Sequence, residues 1–189
     1  MNILIIKQTS LGDVLHATAA LSAIREAYPS AHLTVLTSTD AQELLAHNPN
    51  IDELIIFDRY GVKRDWWRRP GWTVQQFMQT LGAVRLKEYD LVLDLQGSWK
   101  TVIFLWGARA RRRLVKGRWW FAERFSQPAL HAITEMAGVL ELADIPPGAG
   151  KMEVEVAPQV RTAVECILDG LPGPGLKLAV FSPVTRWPT

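Results

Sequence analysis

Hydrophobic positions along the chain form short continuous runs that alternate with longer amphipathic segments. The first run, Asn2 to Ile6, is rich in β-branched residues, which is typical of a strand buried on both faces of a parallel sheet. The segment from Asp13 to Ala27 carries apolar residues at helical spacing, and Pro29 lies just beyond its end. The pattern therefore predicts that the chain begins with a strand, a turn and a helix.

The same alternation continues to about residue 142. It predicts strands at His32–Leu36, Leu54–Phe57, Leu91–Leu93 and Arg113–Val115, and helices at Ala41–His47, Val74–Lys87, Trp99–Ala108 and Ala129–Leu142. Charge, Gly, Pro and Trp interrupt the pattern at Asp58–Trp72, which indicates a loop or an irregular helical excursion. Strands that alternate with helices form parallel βαβ units, so the predicted class is α/β with a Rossmann-like parallel sheet.

A second unit is predicted toward the end of the chain. Asp144–Gly150 is rich in Pro and Gly and resembles a linker, and Met152–Val156 alternates like an edge strand. A helix at Val160–Leu168 and a buried strand at Leu178–Phe181 follow. Because such a strand normally continues into a helix, we expect a second α/β domain to begin near Val154 and to be mostly absent. The predicted domains are residues 1–150 and 151–189.

Composition narrows the class of protein. The 189 residues suffice for one full domain, and a net charge of +2 does not demand a nucleic-acid partner. The single cysteine, Cys166, excludes an internal disulfide and a Cys-based zinc cluster, and we expect it to be a small buried residue on a helix. No stretch approaches the roughly 20 apolar residues that cross a bilayer, and the first apolar run is too short for a signal peptide. A cytoplasmic location is favoured.

The turn after the first strand carries the chemistry-bearing residues. Asp13 follows Gly12 at a helix start, where a carboxylate either stabilises the helix dipole by about 0.3–1 kcal/mol or acts as a general base. Gly12 permits close backbone approach and an unusual φ, and the hydroxyls of Thr9 and Ser10 lie beside it. His16 is expected on the same helix face as Asp13. The turn lacks the glycine and lysine pattern of a P-loop and the three glycines of a dinucleotide fingerprint.

Four segments together resemble one enzyme family. Lys7–His16, Asp90–Lys100, Arg118–Pro128 and Ser182–Thr189 are similar, in this order, to segments of the ADP-heptose:lipopolysaccharide heptosyltransferases of glycosyltransferase family 9. The Gln96-Gly97-Ser98-Trp99-Lys100 form is most similar to heptosyltransferase I, which adds the first heptose to the Kdo sugars of lipid A.

The resemblance implies a GT-B fold, in which two Rossmann-like domains face each other across a cleft and this chain supplies the N-terminal, acceptor-binding domain. It implies inverting transfer from ADP-heptose without a metal or cofactor. Asp13 would be the catalytic base, and Gly12 and Thr185 would contact the donor. Because most of the donor domain is expected to be absent, we expect the chain alone to bind the acceptor weakly, to transfer nothing and to show little or no binding of ADP.

The resemblance also gives a role to basic residues near the predicted edge of the sheet. Kdo-lipid A is anionic, and Arg and Lys suit carboxylates and phosphates. The predicted acceptor-binding residues are Ser10, Arg59, Lys63, Arg64, Gln96, Lys100 and Arg118. The alternative is a solvated charged loop, which is favoured for Arg68 and Arg69.

Tryptophans cluster beside these basic residues. Trp next to Lys or Arg is typical of a membrane-interface patch, so docking on the inner face of the inner membrane is a hypothesis. The alternative is partly buried loop packing. The residues concerned are Trp66, Trp67, Trp72, Trp119 and Trp120.

Two other functions compete with glycosyl transfer. One is a non-enzymatic Rossmann-like module that binds a nucleotide or sugar. The other is a nucleic-acid binder that uses the basic run Arg109–Arg113, which is short for that purpose in a chain of near-neutral charge. An exposed Asp13 with basic neighbours favours transfer, whereas an Asp13 fully occupied in capping its helix favours the module.

Overall fold

The computed structural model of the chain describes residues 1–126, 131–148, 151–170 and 179–180. The chain divides into two units, Met1–Glu155 and Val156–Thr189. The assignment of residues 1–150 and 151–189 to acceptor and donor domains stays a prediction. In the second unit the structure describes one helix, α7, at Pro158–Asp169.

The first unit is built on a six-stranded sheet in which every neighbouring pair is parallel, in the order β3-β2-β1-β4-β5-β6. The strands are β1 (Asn2–Ile6), β2 (His32–Ser38), β3 (Glu53–Phe57), β4 (Glu88–Asp94), β5 (Arg109–Lys116) and β6 (Glu123–Phe125). The helices are α1 (Leu11–Ala27), α2 (Thr39–Leu45), α3 (Arg59–Asp65), α4 (Pro70–Arg85), α5 (Trp99–Gly107) and α6 (Ala132–Glu141). The predicted α/β class and parallel sheet are confirmed.

Both faces of the sheet are buried, as the continuous apolar run of β1 requires. Ile3 and Ile5 point into a core cluster shared with α1, α2 and α6. Leu4 and Ile6 point to the other face, into a cluster with residues of α3, α4 and α5. Successive side chains of a strand point to opposite faces of the sheet. A strand that is covered by helices on both faces is therefore apolar at nearly every position.

The strand order places a ligand-binding position at the carboxyl end of β1. The chain leaves β1 toward β2 on one side, whereas β4 pairs with β1 on the other side. Ligands of open α/β sheets bind at such a reversal, outside the carboxyl ends of the strands. The loops that follow β1 and β4 therefore lie side by side at the point where a site is expected.

Several predicted elements differ from the structure. The segment Asp58–Trp72 is largely ordered as α3 and the beginning of α4, and β6 was not predicted. Strand β5 begins at Arg109, whereas the predicted strand began at Arg113. The first part was missed because its arginines interrupt the apolar pattern. The predicted strand at Leu178–Phe181 lies mainly outside the described residues.

Two predictions near the second unit are wrong. Met152–Val156 is not a strand, since the backbone N–H of Glu153 donates to the Thr18 hydroxyl at 2.9 Å and its carboxylate accepts from Asn50. These bonds tie the segment to α1 and to the loop before β3 instead of to a sheet edge. Cys166 is exposed, because none of the residues of α7 is buried within the described part of the chain.

Candidate active site at the carboxyl edge of the sheet

Three loops meet at Thr9, in the turn that follows β1. Its backbone N–H donates to the side-chain oxygen of Gln96, after β4, at 3.1 Å. Its hydroxyl accepts a hydrogen bond from the guanidinium of Arg59, which follows β3. The side chain of Gln96 therefore joins two loops, and Arg59 lies beside the turn that carries the candidate base.

Asp13 lies in the first turn of α1, where its side chain takes part in capping the helix and is also accessible to solvent. The backbone N–H of Ser10 donates to its Oδ2 at 3.0 Å, and the ammonium of Lys7 lies 3.9 Å from the same oxygen. About 40% of the side chain remains exposed to solvent. Capping of the helix therefore does not fully occupy this carboxylate, and a substrate hydroxyl can reach it.

Lys7 is the site residue that sequence reasoning quoted but gave no role. Its side chain is only 6% exposed, and burial lowers its pKa. Lys116 lowers it further, whereas the carboxylates of Asp13, Asp94 and Glu135 oppose that shift. The signal in the sequence is a lysine that directly follows a fully apolar strand.

Asp94 organises the loop after β4 from inside the protein. Its Oδ1 accepts from the backbone N–H groups of Gln96 and Gly97, each at 2.9 Å, and its Oδ2 lies 2.8 Å from the Thr101 hydroxyl. The side chain has no exposed surface, and this burial raises its pKa to about 6. The bonds hold Gln96 against the turn after β1.

Gly97 is required by geometry. Its φ is +65°, and a Cβ at this position would lie 1.9 Å from the carbonyl oxygen of Lys116. Any side chain here would displace the end of β5 or the loop itself. The glycine of the Gln-Gly-x-x-Lys segment therefore has a structural role.

The predicted acceptor-binding cations divide into two groups. Arg59, Lys63 and Lys100 line one groove at this edge. Arg64 is instead turned toward Asp65, with 3.2 Å between its Nη2 and Oδ2, and Arg118 is exposed with its Nε 3.5 Å from the Ser126 hydroxyl. The prediction that these residues bind an acceptor stays a prediction for all five.

Other predicted residues lie as follows. Gly12 is inside α1 and does not adopt the unusual φ that a glycine permits, and a Cβ there would meet no atom within 4 Å. The ring of His16 lies 4.9 Å from that of His131, at the start of α6, instead of serving Asp13. Thr185 lies outside the described residues.

The tryptophans of the predicted membrane patch also fall into two groups, one packed against the core and one exposed. Trp72 and Trp119 pack against the core cluster on the α4–α5 face, and Trp119 donates to the carbonyl of Gly97 at 3.3 Å. Trp66, Trp67 and Trp120 are exposed. None of the helices in the described part of the chain is both long and apolar enough to span a bilayer.

The basic run Arg109–Arg113 lies at the opposite, amino-terminal part of the sheet and is occupied. Arg109 pairs with Glu88, Arg111 with Asp90 and Arg112 with Glu123. Arg113 donates to the carbonyls of Leu105, Ala108 and Ala110. A patch whose charges are already matched offers little to a phosphate backbone, so the structure argues against the nucleic-acid hypothesis. Among the residues that the structure describes, no group of three His, Cys, Asp or Glu side chains could hold a metal ion.

Comparisons by sequence point to one group of enzymes. The chain is 24% identical over 162 residues to the lipopolysaccharide core heptosyltransferase OpsX of Haemophilus influenzae, which covers 81% of this chain and 43% of that protein. It is 31% identical over 107 residues to lipopolysaccharide heptosyltransferase 1 of Pseudomonas aeruginosa and 28% identical over 103 residues to heptosyltransferase 3 of Escherichia coli. Each of these two matches covers about half of this chain and 28% of the relative. No family model matches.

Solved structures share the fold. A glycosyl transferase family 9 structure from Veillonella parvula superposes with a TM-score of 0.76 at 21% identity, covering 99% of this chain and 56% of that one. Heptosyltransferase WaaC of E. coli, in complex with ADP-2-deoxy-2-fluoro heptose, superposes with a TM-score of 0.68 at 20% identity, covering 91% and 55%. The predicted fold, that of one half of a GT-B glycosyltransferase, is confirmed.

The resemblance inferred from the four motifs is confirmed, since the curated relatives are lipopolysaccharide heptosyltransferases. The chain spans less than half the length of each of these relatives. A special likeness to heptosyltransferase I stays a prediction, because relatives of several heptosyltransferase types match.

Proposed function

We propose that this chain is the acceptor-binding part of an inverting glycosyltransferase that moves heptose from ADP-heptose to the Kdo/heptose inner core of lipopolysaccharide. The observation that carries the proposal is the accessible Asp13 carboxylate beside Ser10 and the buried Lys7, at the carboxyl end of β1. The heptosyltransferase relatives and the fold of family 9 supply the substrate class.

Asp13 acts as the base in this proposal. Its carboxylate takes the proton of an acceptor hydroxyl while that oxygen attacks the anomeric carbon of the donor. The new glycosidic bond forms as the bond to the diphosphate breaks, and ADP leaves with the bonding electron pair, so the anomeric centre inverts. The Lys7 ammonium lies 3.9 Å from the same carboxylate, on the side of the turn that follows β1.

Cations at the same edge hold the acceptor. Arg59 donates a hydrogen bond to Thr9, in the turn that precedes Asp13, and this contact supports a role for its guanidinium in binding the acceptor. Lys63 and Lys100 extend the positive surface. Charge-assisted bonds from such groups to Kdo carboxylates and lipid A phosphates orient the acceptor.

The donor sugar nucleotide is proposed to bind through a second domain. Gly12 and Thr185 are proposed to contact this nucleotide. The open space over Gly12 is compatible with close approach of a ligand. We propose that the reaction needs no metal or cofactor. We further propose that the protein works in the cytoplasm, at the inner face of the inner membrane, because its acceptor is lipid-linked.

A transfer assay tests the role of Asp13 most simply. The chain is joined to a family 9 donor domain, and transfer from ADP-heptose to Kdo-lipid A is measured for Asp13→Asn. The amide can still accept from Ser10 but cannot take a proton, so we expect kcat to fall by about 10²–10⁴. Glu26→Gln, an exposed change on the same helix, is the matched control and is expected to leave kcat unchanged. Undiminished transfer by Asp13→Asn would remove the base assignment and favour the non-enzymatic module.

A further inference from the structure

A groove of about 270 Å³ opens between the end of α3 and the start of α5. Its apolar walls come from residues that are far apart in sequence: Phe57, Val62, Trp66, Trp67, Phe77 and Trp99. Phe57 and Phe77 belong to the core cluster beneath the groove, and their rings are tilted against each other with 4.9 Å between the centroids.

The rim of the groove carries large aromatic side chains that are exposed to solvent. Trp67 is 90% exposed and Trp99 70% exposed. The apolar surface continues along α5, where Trp99, Ile103 and Trp106 are exposed at a spacing that places them on one helix face. Contiguous exposed apolar surface of this kind marks a binding site.

Positive charge borders the same apolar walls. Among the residues that the structure describes, the groove is lined by Arg59, Lys63 and Lys100 and by no carboxylate. The Lys100 ammonium lies 5.4 Å from the ring centroid of Trp99, at cation–π distance. Arg59 also donates to Thr9 in the active-site turn, so the groove adjoins the candidate base.

We propose that this groove binds the hydrocarbon chain of an anionic amphiphile whose head group lies on Arg59, Lys63 and Lys100. Its volume is below the roughly 300 Å³ at which pockets enclose a whole drug-sized ligand, which suits one alkyl chain better than a folded molecule. The inference deepens the proposed function by giving the lipid-linked acceptor an apolar subsite, and it rests on that function only for the amphiphile's identity.

Calorimetric titration of the 189-residue chain with alkyl phosphates, below their micelle-forming concentrations, tests the groove directly. We expect octyl phosphate to bind at least about tenfold more tightly than butyl phosphate, since each fully buried methylene is worth about fourfold. Neutral octyl glucoside should bind more weakly than octyl phosphate, because it leaves the three cations without a partner. Equal affinity for the two phosphates would overturn the proposal.

Matched tryptophan variants locate the binding. Trp67→Ala and Trp99→Ala should each lower the affinity for octyl phosphate by about tenfold and leave the affinity for butyl phosphate unchanged. Trp120→Ala is the control, because Trp120 is 87% exposed and does not line the groove. Equal loss in Trp120→Ala, or no loss in the other two, would overturn the proposal.

Two further outcomes separate the groove from its neighbours. Binding to vesicles of anionic phospholipid without binding of monomeric octyl phosphate would make the face a membrane surface and overturn the groove. If octyl phosphate binds but the chain joined to a family 9 donor domain transfers no heptose, the proposed function would be rejected and the groove would remain in place.

Discussion

Both edges of the sheet carry charged side chains, but the two edges use them differently. At the amino edge Arg109 and Arg111 pair with carboxylates of β4, and Lys87 pairs with Glu53. At the carboxyl edge the cations Arg59, Lys63 and Lys100 border an aromatic groove whose described lining residues include no carboxylate. Positive charge that the fold has already neutralised stabilises the sheet, whereas positive charge that faces a groove is available to a ligand.

Buried polar groups differ between the edges in the same sense. The amino-edge Asp90 is about one-third exposed and accepts from the backbone of Asn2 at 2.9 Å. The carboxyl-edge Asp94 has no exposed surface and holds a loop through three hydrogen bonds. Burial without a direct ion pair is costly, and that cost is found where the candidate site lies.

The largest effect is expected from removing these two carboxylates in turn. Asp94→Ala leaves the N–H groups of Gln96 and Gly97 without an acceptor, so we expect the free energy of unfolding to fall by about 2–4 kcal/mol. Asp90→Ala should cost about 1 kcal/mol, because it removes a surface ion pair with Arg111 and a single hydrogen bond from the backbone N–H of Asn2. Urea unfolding at neutral pH measures both. Equal losses would show that the edges do not differ.

The pH dependence of stability sharpens this contrast. The pKa of Asp94 is raised from 3.8 to about 6, so the folded protein binds this proton more tightly than the unfolded chain. The resulting stabilisation is full below the unfolded pKa and is lost as pH rises through the folded one. The stability of wild type relative to Asp94→Asn should therefore fall by roughly 3 kcal/mol from about pH 3.5 to pH 7. A difference that does not change with pH would contradict the burial effect.

Cations at the two edges should separate in acceptor affinity. Arg59→Ala and Lys63→Ala remove charge from the groove, and we expect each to raise the acceptor KM about tenfold in the two-domain enzyme. Arg111→Ala, at the amino edge, should leave KM unchanged. Steady-state kinetics with Kdo-lipid A measures all three, and a comparable rise in Arg111→Ala would mean that the effect is one of overall charge.

The smallest effect is expected from the amino-edge pair of Lys87 and Glu53. The hydrogen bond that Lys87 donates to Glu53 lowers the pKa of Glu53, but both side chains are more than one-third exposed. We expect Lys87→Ala to cost about 0.5 kcal/mol. Because the pKa of Glu53 is lowered, this contribution is present above its ordinary value near 4.5 and is lost as pH falls through the folded value. Urea unfolding at neutral pH and near pH 3 measures it, and an undiminished cost at the lower pH would contradict the ion pair.

The parts of the fold that local pattern determines could be predicted. Strand β1 is a continuous apolar run and α1 has a helical period, so their positions and the turn between them followed from sequence. Strand β6 has three residues and no apolar run, so nothing local announced it. Met152–Val156 alternates like a strand, yet its polar atoms bind α1 and a loop, a tertiary contact that periodicity does not encode.

The candidate site was predictable only in part for the same reason. Asp13, Ser10 and Gln96 lie in motifs and were found. The groove, in contrast, is lined by Trp66 and Trp99, which are 33 positions apart in the sequence. The arginines of β5 resembled a binding patch because their partners Glu88 and Asp90 belong to another strand. Only the strand order shows which charges are already paired.

Binding of the acceptor at the carboxyl edge is tested by the amide chemical shifts of the 189-residue chain during titration with the deacylated Kdo-lipid A head group. We expect the shift changes to concentrate at Lys7–Asp13, Gln96–Gly97 and Arg59–Lys63, with Glu88–Asp90 and Arg109–Arg111 unchanged. Shifts that centre on the amino edge, or an absence of shifts at millimolar ligand, would contradict it.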